Sequence, residues 1–175
     1  TLNQLLFTSG IAIGNSTPTN KSNQNVYIGY GAGTSSLNVY DTYIGYLAGS
    51  GTGSGLLITN ADYNIGIGSN ALSAATSTNQ TVAIGNYAAN ASPQIESTVA
   101  IGYQAAQSSS GFFDSVVIGN GAGSSATTIA GYYLEKNVVI GKSALANSTA
   151  AYRVIAIGDQ AGQSASGFYT KPVTS

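Results

Sequence analysis

The dipeptide Ile-Gly recurs along this chain at Ile13, Ile28, Ile44, Ile67, Ile84, Ile101, Ile118, Ile140 and Ile157. The successive spacings are 15, 16, 23, 17, 17, 17, 22 and 17 residues. Repetition at a nearly fixed short period means that one supersecondary unit is built over and over, each copy burying its apolar side against the next. The flanks of Ile-Gly repeat as well. Two residues earlier stand Ile11, Val26, Thr42, Ile65, Val82, Val99, Val116, Val138 and Ile155, all aliphatic and β-branched except Thr42. Four residues after the isoleucine stand Ala32, Ala48, Ala71, Ala88, Ala105, Ala122, Ala144 and Ala161, with Thr17 the exception. The unit is therefore Val-x-Ile-Gly-x-x-Ala.

Val-x-Ile alternates with period two and is rich in β-branched residues, which specifies a short strand carrying both aliphatics on one face. The glycine allows a positive φ or a close backbone approach, and the alanine suits a narrow core where the chain doubles back. No helical periodicity separates the copies, so each strand is expected to stack in parallel on its equivalent, about 4.8 Å away. The fold class is all-β, a parallel β-solenoid of about nine coils of ~17 residues, spanning roughly 43 Å. The two long intervals predict looped-out insertions, one through Gly49–Gly55 and one from Ser124 to Lys136. Residues 1–9, with Leu5-Leu6-Phe7, are expected to cap the first coil, and residues 10–162 to form the repeat domain. Residues 163–175 begin a tenth unit, because Gln163–Tyr169 echoes Gln107–Phe113, and Pro172 then falls where Val116 would correspond and stops the stacking.

The residue between the two aliphatics is also apolar: Ala12, Tyr27, Tyr43, Gly66, Ala83, Ala100, Val117, Val139 and Ala156. With Val and Ile assigned to the coil interior, this second column faces outward. Strands apolar on both sides are buried on both, so Ala12, Tyr27, Tyr43, Ala83, Ala100, Val117, Val139 and Ala156 are the expected contacts to other copies of the chain.

Only 6% of the 175 residues are charged, the net charge is −1, and His, Cys, Met and Trp are absent. Five scattered cations make no basic stripe, which excludes nucleic acid as a partner. No apolar run approaches the roughly 20 residues of a membrane-spanning helix, so no membrane insertion is expected within this segment. Low charge together with the lack of cysteine fits an exposed setting, and an extracellular location is expected. The start at Thr1 suggests a processed product or a fragment. Chemistry has little to work with: no cofactor or metal ligand set is spelled, and an enzyme is not expected. The carboxylates Asp41, Asp62, Glu96, Asp114, Glu135 and Asp159 are far apart in sequence, and only stacking of coils brings any of them together. Gly31-Ala32-Gly33 and Gly121-Ala122-Gly123 lack the lysine and helix of a phosphate loop and are read as coil corners. Tyr30, Tyr46 and Tyr103, two residues beyond the strand isoleucine, are candidates for contacting sugars or proteins, with a packing ladder across coils as the alternative.

Val82-Ala83-Ile84-Gly85-Asn86-Tyr87-Ala88 and Val99-Ala100-Ile101-Gly102-Tyr103-Gln104-Ala105 resemble the head repeats of YadA-like trimeric autotransporter adhesins. Similar repeats occur in phage tail-fibre and other virion proteins. The resemblance covers roughly residues 10–162 and implies a left-handed β-roll, a homotrimer, and attachment outside the cell to a host-surface glycan or protein. Its coils are longer and less regular than the adhesin pattern, and Tyr or Asn often follows Ile-Gly. The alternative is a purely structural fibre or coat segment.

Overall fold

The computed structural model describes residues 10–17, 24–34, 39–51, 63–128, 133–149 and 151–166. Nine short strands form one continuous parallel sheet: Gly10–Ile13, Asn25–Ile28, Thr42–Ile44, Ile65–Ile67, Val82–Ile84, Val99–Ile101, Val116–Ile118, Val138–Ile140 and Ile155–Ile157. The register is uniform, each strand isoleucine lying opposite the next from Ile13 to Ile157. A second parallel sheet, of Ser77–Asn79, Gln94–Glu96, Phe112–Phe113 and Leu134–Glu135, lies on the other side of the core. The chain is a parallel β-solenoid.

The Ile-Gly glycines are fixed by the stacking. Gly85 has φ +136°, and a Cβ placed there would stand 2.3 Å from the carbonyl oxygen of Gly102 in the next coil. Gly102 repeats the geometry against Gly119, at φ +133° and 2.5 Å. Both demands of the column, an unusual φ and space for a neighbouring backbone, admit only glycine.

Beyond the glycine the chain winds through consecutive turns whose backbone groups divide their bonds in two directions. Ala88 N–H donates to Gly85 O at 3.2 Å and Asn90 N–H to Tyr87 O at 3.3 Å, closing turns within the coil. Tyr87 N–H donates backward to Ser69 O at 2.9 Å, and Ala89 N–H forward to Ala105 O at 2.8 Å. Alternation of this kind leaves a narrow interior with its polar backbone satisfied. Tyr87, Ala89 and Ala91 pass through the left-handed region at φ +51° to +59°.

The strand faces the opposite way from the sequence expectation. Tyr27, Tyr43, Ala83, Ala100, Val117 and Val139 are fully buried inside the chain's own core, Ala156 is 6% exposed, and Ala12 packs partly against the same core. These residues are intramolecular contacts and do not face another copy. The Val and Ile columns are the outer ones, partly exposed through the middle coils and more exposed at the two ends, at Ile11, Ile13, Ile155 and Ile157. The reason is volume. The residue between the aliphatics shares its coil's interior with the residue six positions later, and the space between the two walls does not accommodate a column of Val and another of Ile.

In the first coils a large residue in one column meets glycine in the other. A Cβ on Gly33 would touch the Tyr27 ring at 2.7 Å, and one on Gly49 the Tyr43 ring at 2.5 Å. Where the strand carries Gly66 the facing position is Leu72, and Ala83 and Ala100 face Ala89 and Ala106. Gly33 and Gly123 thus serve as coil corners, as the glycine pairs led one to expect, with the core rings as the specific neighbours. The alanines of the unit are buried from Ala32 to Ala144.

Of the two long intervals, residues 52–62 and 129–132 lie outside the described residues. The second interval is only in part a departure from the coil. Ser124–Thr128 follow the coil path, with Ser125 N–H on Gln107 O at 2.8 Å, and Leu134–Glu135 pair with Phe112–Phe113 in the second sheet. Leu134 is fully buried. The segment expected as a loop as far as Lys136 therefore re-enters the coil by Tyr133. The proposed cap at residues 1–9 and the stop at Pro172 also lie outside the described residues; Ser166 still bridges to Thr149 in the coil.

Candidate functional site

Three surface features follow from this stacking. The first is the outer face of the nine-stranded sheet. Two columns of Val and Ile, interrupted only by Thr42, run its whole length with no charged member. At strand spacing this face is roughly 40 Å long, and a contiguous apolar surface of such extent marks an interaction site.

The second feature is tyrosine. Tyr30 and Tyr46 stack on one another with ring centroids 5.5 Å apart and planes 12° apart, and both remain about half exposed. Tyr103 is exposed but separate, since Ser69 and Asn86 occupy its column in the two intervening coils. Of the three candidates, two are thus brought together and one stands alone. On the other edge of the outer sheet Tyr40 and Tyr63 stack at 4.9 Å and 5°.

The third feature is the outer face of the second sheet. Residues five positions before each strand isoleucine fall into one column there: Asn79, Glu96, Phe113, Glu135 and Tyr152, paired coil to coil. The next column is the corner Gln80, Ser97, Asp114, Lys136 and Arg153, all at φ +50° to +57°. Gln94, Glu96, Ser97, Phe113, Asp114, Tyr133 and Glu135 line an open cleft of about 420 Å³. Phe113 meets Tyr133 edge to face, centroids 5.2 Å apart with planes at 72°. Lys136 pairs with Glu135, and that hydrogen bond holds its ammonium above the usual lysine value. Arg153 lies over the Tyr152 ring at 4.9 Å. Reading the carboxylates by sequence distance hides this cluster. Counting back from each Ile-Gly would have found it, because the coil period converts residues 96, 113 and 135 into neighbours.

Polar groups inside the coil have a structural task. The residue after the left-handed corner is polar in seven successive coils: Asn25, Asp41, Asn64, Thr81, Thr98, Ser115 and Asn137. The Asn25 side-chain oxygen accepts from Asp41 N–H at 2.8 Å, Asp41 from Asn64 N–H at 2.9 Å, and Asn64 from Thr81 N–H at 3.0 Å. Thr98, Ser115 and Asn137 accept the next coil's N–H in the same way, whereas the Thr81 hydroxyl donates to the carbonyls of Asn79 and Ile95. Near this ladder the Tyr43 hydroxyl is buried without a hydrogen-bond partner. Burial, then the charge of Asp41, push its pKa well above the usual value.

Among the described residues no three His, Cys, Asp or Glu side chains stand close enough to hold a metal ion, the cleft carboxylates included. No helix among them is long and apolar enough to cross a membrane. The fold defines the chain as a parallel β-solenoid repeat protein. No family model matches it, and no match was found among the curated proteins or the solved structures.

Proposed function

We propose that the chain is a non-enzymatic extracellular attachment module that acts as a homotrimer and presents the remaining rod surface to a host-surface glycan or protein, on a cell or on a virion. The observation that carries this reading is the aliphatic outer face of the long sheet, interrupted only at Thr42. Among the described residues nothing packs over this face of Val and Ile, and covering it with the same face of other copies removes it from water at about 25 cal/mol per Å². Threefold association and attachment are what the resemblance of the Val-Ala-Ile-Gly repeats to adhesin heads and phage fibres implies. The absence of His and Cys from the sequence supports a binding rather than a catalytic role.

Light scattering at micromolar concentration should return three times the chain mass, and a monomer overturns the assembly. Retention of the intact trimer on host cells, lost after enzymatic removal of surface glycans or proteins, tests attachment. A trimer that binds neither supports the second reading, a purely structural fibre segment, which the uniform register of the long sheet favours by making a stiff rod.

A further inference from the structure

The geometry points to the cleft between Phe113, Tyr133 and the carboxylates of Glu96, Asp114 and Glu135 as a binding site for a neutral saccharide. This inference rests on the attachment reading and names its ligand class. The chain has six carboxylates in all, and three of them line this one cleft. Of the others, Asp41 is buried in the internal ladder, Asp159 is exposed beyond the strand isoleucine Ile157, away from the corner column, and Asp62 lies outside the described residues. The two sheets share one core, so the cleft stays open when the aliphatic face is covered.

The lining selects its ligand by chemistry. A carboxylate only accepts hydrogen bonds, so the ligand must present donors at close intervals. Phe113 sits between Glu96 and Glu135 in the column, and Tyr133, 57% exposed, stands against it. Their rings offer an apolar surface within reach of the acceptors. A sugar ring has both complements, a C–H face for the aromatic and hydroxyl donors around its rim. The cleft crosses three coils, about 10 Å, enough for a disaccharide.

Charge narrows the class further. Three carboxylates line the cleft against two cations in the corner column beside it, Lys136, already paired to Glu135, and Arg153, held over Tyr152, and the excess of negative charge disfavours sialylated, sulfated or phosphorylated glycans. A cationic peptide is the weaker fit, because the two rings meet edge to face and do not form the facing walls that enclose an ammonium group.

The test is an array of neutral, sialylated and sulfated oligosaccharides, read with the wild-type protein and with Tyr133→Ala and Glu96→Gln. Both side chains are exposed, so both variants should keep the wild-type melting temperature and assembly state. Expected is binding to neutral glycans, unaffected by added salt and weakened about tenfold or more in each variant. Neutral-glycan binding that both variants retain overturns the assignment of the cleft, as does salt-insensitive preference for anionic glycans; either leaves attachment standing. Salt-sensitive capture of a polylysine probe, lost in Glu96→Gln, replaces the saccharide with a basic peptide and also overturns it. No binding on the array together with no retention on host cells overturns the site and the attachment reading together.

Discussion

At the scale of single residues, the fold depends on glycines that have no substitute and on one tyrosine that carries a cost. Gly85→Ala must move a backbone carbonyl lying 2.3 Å from the new Cβ and must also hold alanine at φ +136°. A loss of about 3 kcal/mol or more is expected in urea unfolding, against a few tenths for an exposed position such as Asn86. An equal effect at both sites would mean that the coils do not stack in this register. Tyr43→Phe has the opposite sign. Its hydroxyl is buried without a partner, so removing it should raise stability by about 1 kcal/mol. The pKa shift adds a pH dependence. Because the folded state holds the Tyr43 pKa above the unfolded value, the group adds no pH dependence below the ordinary tyrosine range; above it the unfolded state ionises first, and stability falls as pH rises towards the raised folded value. Wild-type stability should fall more steeply than that of Tyr43→Phe in the alkaline range, and parallel pH profiles for the two proteins would rule out this role for Tyr43.

Within one coil the unit of design is a pair of positions six residues apart. Tyr43 with Gly49 and Gly66 with Leu72 fill the same space in opposite ways, one coil after the other. Gly49→Leu alone drives a side chain into the Tyr43 ring, and Tyr43→Gly alone leaves a cavity. The double variant recreates the arrangement of Gly66 and Leu72, and Leu72 itself holds the left-handed φ of +56° that this position requires. A double-mutant cycle should therefore show the two losses to be non-additive, the pair recovering about 1 to 3 kcal/mol. Strict additivity would mean that the two positions do not share a cavity. The strands, their parallel stacking and the glycine corners were legible in the sequence, because each follows from a residue type recurring at one offset from Ile-Gly. The second sheet was not. Its column reads Asn79, Glu96, Phe113, Glu135 and Tyr152, with no common side-chain type, since those positions are held by backbone pairing and point to solvent. The cleft carboxylates stayed hidden for the same reason.

Across the whole molecule, what alternation left undecided was which side of the strand is inside. Val-x-Ile names two faces but does not say which is enclosed, and assigning the larger aliphatics to the interior ignored how little room the turn wall leaves. Ala89, Ala106, Gly123 and Leu145 face the interior of that wall. The reversal moves the expected interface from the Ala100 column to the Ile101 column, and one pair of substitutions separates the two. Ala100→Asp places an unpaired carboxylate in a fully buried site and should abolish folding in the single chain, by several kcal/mol. Ile101→Asp, one residue later on the half-exposed outer face, should leave the circular-dichroism spectrum of the β-rod intact and shift its mass in light scattering from trimer to monomer. The opposite pattern, a folded monomer from Ala100→Asp and an unfolded chain from Ile101→Asp, would restore the inward Val and Ile columns. Since the same substitution is made one position apart on a single strand, differences in strand propensity cannot produce the split. Only the direction in which each side chain points can do so.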